Sequence, residues 1–259
     1  MIRGIYAAAA GMNVQKAALD AISNNIANIN VPGYKKKRLT ARPFPELLLL
    51  GSRPAQGRTA VPTGKDVLGL TYQGVAVRQV LTDFAPGPLR ETGSITDFAL
   101  RGEGFFTLAK PDGEEKVAYT RNGSFRLDSE GNLVNHLGYQ VMGHKGPVQI
   151  KDRENFQVDE NGNIYESGRI TNKLLVVSFA DPGALQRTGN DLYLAGEQQP
   201  EPLENPGLVQ RFLEGANVDP VEETVNMVTA ARAYETGQKI IQAQDGLLDL
   251  AINKVGILR

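Results

Sequence analysis

Two stretches, one at each end of the chain, space their apolar side chains at alternating intervals of three and four residues, and few folds accept that spacing. The N-terminal run is Ile5, Ala8, Met12, Gln15, Leu19, Ile22, Ile26 and Ile29. At the C-terminus Met227, Tyr234, Ile241, Leu248 and Val255 fall at seven-residue intervals, with Ala230, Gly237, Gln244 and Ala251 three residues after the first four. Such spacing lines one narrow stripe of an α-helix, the seam of a coiled coil. An isolated helix with one narrow stripe is marginal in water. Each end is therefore expected to lie against another helix.

Local chemistry marks where these helices stop and start. Pro32 disfavours the α conformation at Val31, so the first helix should end near Asn30. Asp219 suits an N-cap, Pro220 the first helical position, and Glu222 and Glu223 the electropositive first turn of the second helix. Ala230 and Gly237 are small enough for a partner helix to approach closely. The first helix is unusual in carrying Asn24, Asn25, Asn28 and Asn30, each costing roughly 0.5 kcal/mol of propensity relative to alanine. With Ile26 in the seam, Asn25 and Asn30 flank it, while Asn24 and Asn28 point away. An amide both donates and accepts, which suits a face that meets other protein. Both helices are thus expected to be covered on more than one side.

Composition narrows the chemistry. With 28 basic and 29 acidic side chains among 259 residues, the net charge of −1 supplies no global attraction to nucleic acid or anionic lipid. The basic run Lys35 to Arg38 follows a turn and reads as a solvated loop. Cysteine is absent, which excludes disulfides, thiolate metal sites and a cysteine nucleophile. No apolar run approaches the roughly 18 residues that span a bilayer. The opening "MIRGIYAAAAGMNVQ" runs on into helical periodicity rather than into a cleavage site. The two histidines, His136 and His144, read as surface residues. Asp159 to Asn163 resembles the start of a calcium loop, but glycine is not at the sixth place and no glutamate stands at the twelfth, so it reads as a hairpin turn. Gly102-Glu103-Gly104 opens no helix, so it is no dinucleotide loop. The expectation is a non-enzyme without cofactor, metal or small-molecule substrate.

Between the helices the pattern changes twice. Residues 36–74 are rich in Pro, Gly and Thr and read as an extended linker with an apolar patch at Leu47 to Leu50. From 75 to 214, short runs such as "GFFTLAK" and "NKLLVVSFA", bounded by turn residues, read as an antiparallel β-rich domain. It contains a repeat: Phe125 to Leu133 matches Phe156 to Ile164, each reading as strand, glycine-containing turn and strand. The fold class is α+β: residues 1–35 and 215–259 form a helical coiled-coil domain, with the β-rich domain between.

Three blocks carry a resemblance to a known family. "ISNNIANINVPGYK" (22–35) resembles the N-terminal signature of the bacterial flagellar axial proteins, specifically the basal-body rod proteins. Val31 and Tyr34 stand where Thr and Phe are usual. "DFALRGEGFFTLAKPDGEEKVAYTRNGSFRLDSEGNLV" (97–134) is similar to that family's central block. "LEGANVDPVEETVNMVTAARAYETGQKII" (213–241) resembles its C-terminal signature, with Ala216 where Ser is commoner before Asn217. The length fits either long rod subunit, the distal one or its proximal neighbour. The resemblance implies an inner coiled-coil domain, an outer β domain and no catalytic residues. It implies export through the flagellar type III apparatus without a cleaved signal, then polymerisation with copies and other rod and hook proteins outside the inner membrane. Met12, Leu19, Ile22, Asn24, Asn25, Ile26, Asn28, Ile29, Asn217, Met227, Tyr234, Ile241, Leu248 and Val255 are then the expected subunit-interface residues, the asparagines facing neighbouring subunits. A competing reading is a secreted β-rich binding module oligomerised by a helical stalk.

Overall fold

The computed structural model describes residues 2–44, 47–52, 65–71, 74–110, 117–152 and 155–255. It is an α+β protein that divides into two compact units. One comprises Met1–Asn24, Arg38–Leu81 and Val221–Arg259; the other comprises Asn25–Lys37 and Thr82–Pro220.

The first unit holds most of two long helices, α1 (Ile2–Ala27) and α2 (Pro220–Leu250), the latter continued by a π-helical turn at Ala251–Val255. On α1 the seam positions are half-buried, whereas Val14 and Ala21, one heptad apart and off the seam, are buried. The helix is therefore covered on a second side as well. Gly74 lies against that side, where a Cβ would sit 3.1 Å from the Ala10 Cβ. Gly237 of α2 lies over Met12 of α1: a Cβ there would come within 2.6 Å of Met12 Cγ. The glycine costs about 1 kcal/mol of helix propensity and gains that close approach.

Segment 36–74, expected as a linker, carries β structure in its described residues. Lys37–Pro43 and Val75–Thr82 form a two-stranded ribbon, and Leu47–Ser52 pairs antiparallel with Lys65–Thr71. The Leu47 to Leu50 run is one side of that second ladder. The pairing partners lie too far along the chain for local composition to reveal them.

The second unit is built around the strand Phe105–Ala109, which pairs antiparallel with Ala118–Thr120, Gln140–Gly143 and Val176–Ser178. Its run "FFTLA" is apolar on both faces because both faces are covered. Phe106 and Leu108 pack with Phe98, Phe125, Ile150 and Ile164 on one side. Phe105, Tyr119, Phe179 and Tyr193 cluster on the other, Phe105 edge-to-face with Phe179 and Tyr193, and Tyr119 edge-to-face with Phe179. The repeat is two like hairpins: Arg126–Leu127 with Leu133–Val134, and Phe156–Val158 with Asn163–Glu166. In each, an aspartate closes the turn. Asp128 Oδ1 accepts from the backbone N–H of Glu130 and Asn132, and Asp159 Oδ1 accepts from those of Asn161 and Asn163. Gly131 and Gly162 take φ of +84° and +85°, which glycine adopts without strain. Donated hydrogen bonds, led by the Asn132 amide, hold Asp128 below the ordinary carboxyl range. For Asp159, burial pushes upward, but the bonds from Asn163 outweigh it.

Candidate assembly site

Along α2 the side chains least exposed are Glu223, Met227, Ala230, Ala231, Tyr234, Gly237, Ile241, Gln244 and Leu248. That set contains every heptad position read from the sequence between Met227 and Leu248, whereas Ala251, in the π-helical turn, is exposed. Met12, Leu19, Ile22, Asn24 and Ile26 on α1 are half-buried, as are Asn28 and Ile29, which lie in the turn after it because α1 ends at Ala27, earlier than the Asn30 expected. The Val255 side chain lies outside the described residues. The opposite side of α2 is equally patterned and went unnoticed in the sequence. Val221, Val225, Val228, Ile240, Leu247 and Leu250 are exposed, with Val221 at 70%, Val225 at 60% and Leu247 at 55%. Their spacing of three, four or seven residues within each half of the helix sets them on a second stripe, about 200° from the seam at 100° per residue. Large apolar side chains in such a row mark a surface that meets protein.

In the second unit, residues 25–37 meet residues 214–217 in a buried polar knot. Asn25, 1% exposed, clamps the turn that ends α1. Its Oδ1 accepts from the Lys37 backbone N–H at 2.8 Å and from the Tyr34 hydroxyl at 3.1 Å, and its Nδ2 donates to the Lys37 carbonyl at 2.9 Å. Asn217 does the same from the other end of the chain. It accepts from the Lys36 N–H at 2.7 Å and donates to the carbonyls of Asp83 and Ala85. Both asparagines, expected at subunit interfaces, make these bonds within the chain, each using an amide that donates from its nitrogen and accepts at its oxygen. Between them, Tyr34 packs with Ala216 and Val218, and the Arg187 guanidinium lies 4.9 Å over its ring.

At the centre is an ion cluster. Glu214 accepts from Lys35 Nζ at 2.7 Å, from Arg121 Nε at 2.5 Å and from the Gly87 N–H at 2.8 Å. Lys35 also donates to the Ala85 carbonyl, and Arg121 donates to the carbonyls of Leu100, Gly102 and Gly104. The side chains of Lys35, Arg121 and Glu214 are 1%, 4% and 1% exposed. Lys35 is thus not the solvated residue its basic neighbours suggested. Burial opposes the charge on Glu214, but Arg121 and Lys35 outweigh it and hold the carboxyl below its ordinary range. Burial lowers the Lys35 ammonium, with Glu214 offsetting only part of the effect. Gly33 is required for the approach: φ is +70° and a Cβ would come 2.5 Å from the Arg121 carbonyl carbon. No group of three His, Asp or Glu converges as a metal site among the described residues, and no described helix is long and apolar enough to cross a membrane.

Three family models match the chain: a flagella basal body rod protein model over residues 5–35, a flagellar hook protein FlgE/F/G D1 domain over 99–166, and a flagellar basal body rod FlgEFG C-terminal model over 209–254. Each matched stretch contributes one charge to the buried cluster, respectively Lys35, Arg121 and Glu214. The flagellar basal-body rod protein FlgG of Borreliella burgdorferi is 33% identical, over 98% of this chain and 98% of its own length. The chain belongs to the flagellar basal-body rod protein family. FlgG of Bacillus subtilis is 32% identical over 98% of this chain and 99% of its own length. The flagellar hook-basal body complex protein FlhO of the same organism is 31% identical over 99% of both chains. As a rod-family member the chain is a structural subunit of the basal body and not an enzyme. Sequence reasoning found the signature blocks but missed the cluster. The signal was there in the form of three isolated charges, each set inside a different block.

Proposed function

We propose that this subunit polymerises, with copies of itself and with other rod and hook proteins, into an open helical tube that carries motor torque outward. In this reading α1 and α2 pair along their seams as a coiled coil, which the approach of Gly237 to Met12 supports. The observation that carries the reading is the exposed second stripe of α2. Burying its six large apolar side chains would contribute about 1.5–3 kcal/mol each. Together that is at most about 9–18 kcal/mol, since the side chains are already partly covered, which is of the same order as the roughly 4–15 kcal/mol lost when a subunit gives up its freedom. A face that meets a different face on the next copy generates an open helix rather than a closed ring. Met12, Leu19, Ile22, Asn24 and Ile26 on α1, and Asn28 and Ile29 in the turn after it, are assigned to the same contacts, together with the α2 seam residues. The subunit reaches the rod through the flagellar type III export apparatus and functions outside the inner membrane. Electron microscopy of the purified chain tests the proposal. Open tubes are expected, whereas a discrete trimer would support a stalk-borne binding module and overturn it.

A further inference from the structure

We infer that the exposed stripe of α2 docks antiparallel on the outer face of α1 in a second copy of this chain, with Arg232 opposite Asp20 and Gly246 opposite Tyr6. This deepens the proposed assembly and rests on it, by naming the surface that the stripe meets.

The stripe is not apolar throughout. Between Val228 and Ile240 its line passes through Arg232, Thr236 and Lys239, all exposed. Covering those cations without an anion would be costly, so the covering surface needs a carboxylate in its middle and apolar groups beyond it. The outer face of α1 fits. Gly4 and Met12 turn one side of that helix towards α2, and Ala10 turns another towards Gly74. On the side left exposed, Tyr6, Asn13 and Asp20 follow one another at seven-residue intervals and form a single row. Asp20 is the only acidic residue of α1, and Tyr6, 70% exposed, is its only aromatic one. Exposed aromatic rings are enriched where proteins meet.

Spacing sets the register. Fourteen residues separate Tyr6 from Asp20 and Arg232 from Gly246, about 21 Å along either helix. Copies joined head-to-tail in a tube share one polarity. The α1 helix of one copy then runs antiparallel to α2 of the next, as the two do within a copy, where Gly4 lies on Gln244 and Met12 on Gly237. With Asp20 set against Arg232, Asn13 falls opposite Lys239, whose ammonium its amide oxygen accepts from. Tyr6 falls opposite Gly246, where the missing side chain leaves open space for the ring. Leu247 and Leu250, 55% and 45% exposed, flank that space. Lys16, the other charge on the exposed side of α1, comes beside Glu235. Among the described residues none of these five charged side chains makes an ion pair within the chain.

Charge reversal in the full chain tests this by sedimentation velocity. Asp20→Arg and Arg232→Asp each set like charges against one another, and each should raise the concentration needed for assembly at least about tenfold. An equimolar mixture of the two variants brings opposite charges together again and should assemble near the wild-type concentration. Mixing would not rescue a pair made inside one chain, and recovery also shows that both variants fold. Polarity is read by oxidising assembled chains that carry two introduced thiols and no others. Tyr6→Cys with Gly246→Cys should cross-link into multimers. Tyr6→Cys with Val225→Cys, which a parallel arrangement would bring together, should not. These cross-links decide the matter even where a charge reversal unfolds the chain. Single variants that assemble like the wild type, a mixture of folded variants no better than its components, or cross-linking of the parallel pair alone would overturn the docking and leave the tube standing. A wild-type chain that stays monomeric at every concentration would instead refute the assembly reading beneath it, and the docking with it.

Discussion

Removing the charge of Glu214 while keeping its shape leaves Lys35 and Arg121 buried as unopposed cations. Breaking a buried pair in this way costs about 3–5 kcal/mol, far more than losing a surface ion pair. Glu214→Gln should therefore lower the urea-unfolding free energy of the β-rich unit by about that amount at pH 7. The pH dependence carries the same signature. Because the folded carboxyl is held below its ordinary value, its contribution is complete above the glutamate reference near pH 4.3 and is lost as pH falls through the lower folded value. The wild type should lose stability on acidification more steeply than the variant. An equal slope for both would show that the charge of Glu214 does not stabilise the fold. Residues were also where the sequence was hardest to read. Asn25 and Lys35 look like surface residues by type. Their burial depends on partners such as Glu214, 179 positions away from Lys35, and no local pattern announces that separation.

Helices and hairpins were legible for the opposite reason. Heptad spacing along α2 and the Asp-to-Gly turns of the repeat are local signals, each complete within a few residues. The ladder within 36–74, and the ribbon that joins Lys37–Pro43 to Val75–Thr82, were not legible. Leu47 pairs with Thr71 across a stretch rich in Pro and Gly, and a ladder between distant segments leaves no period. The second stripe of α2 was overlooked because the seam alone accounted for the helix. The hairpins give the cleanest test at this scale. Asp128→Ala and Asp159→Ala each remove a side chain that accepts two backbone N–H groups and an asparagine amide. Each should lower the urea-unfolding midpoint by a small but measurable amount, set by the hydrogen bonds that water does not replace. The costs of the two should add in the double variant, since the turns share no bonds. A cost for only one would mean that the repeat in sequence is not a repeat in energetics.

Across the whole molecule, two demands are met by different materials. The β-rich unit has aromatic and aliphatic cores on both sides of its central strand and a buried, hydrogen-bonded ion cluster, so its stability is its own. The helices expose a row of large apolar side chains that a permanent monomer would be expected to replace with polar ones. That contrast is what a subunit needs if it is to keep one part folded while another part joins its neighbours. The absence of cysteine gives a clean probe, since a single introduced thiol is the only one present. Leu247→Cys places it on the exposed stripe, and thiol-labelling rates are compared in the free chain and in the assembled rod. The account predicts fast labelling of the free chain and protection of at least about tenfold after assembly. Equal rates in the two states would contradict it, because the stripe would then remain bare in the rod.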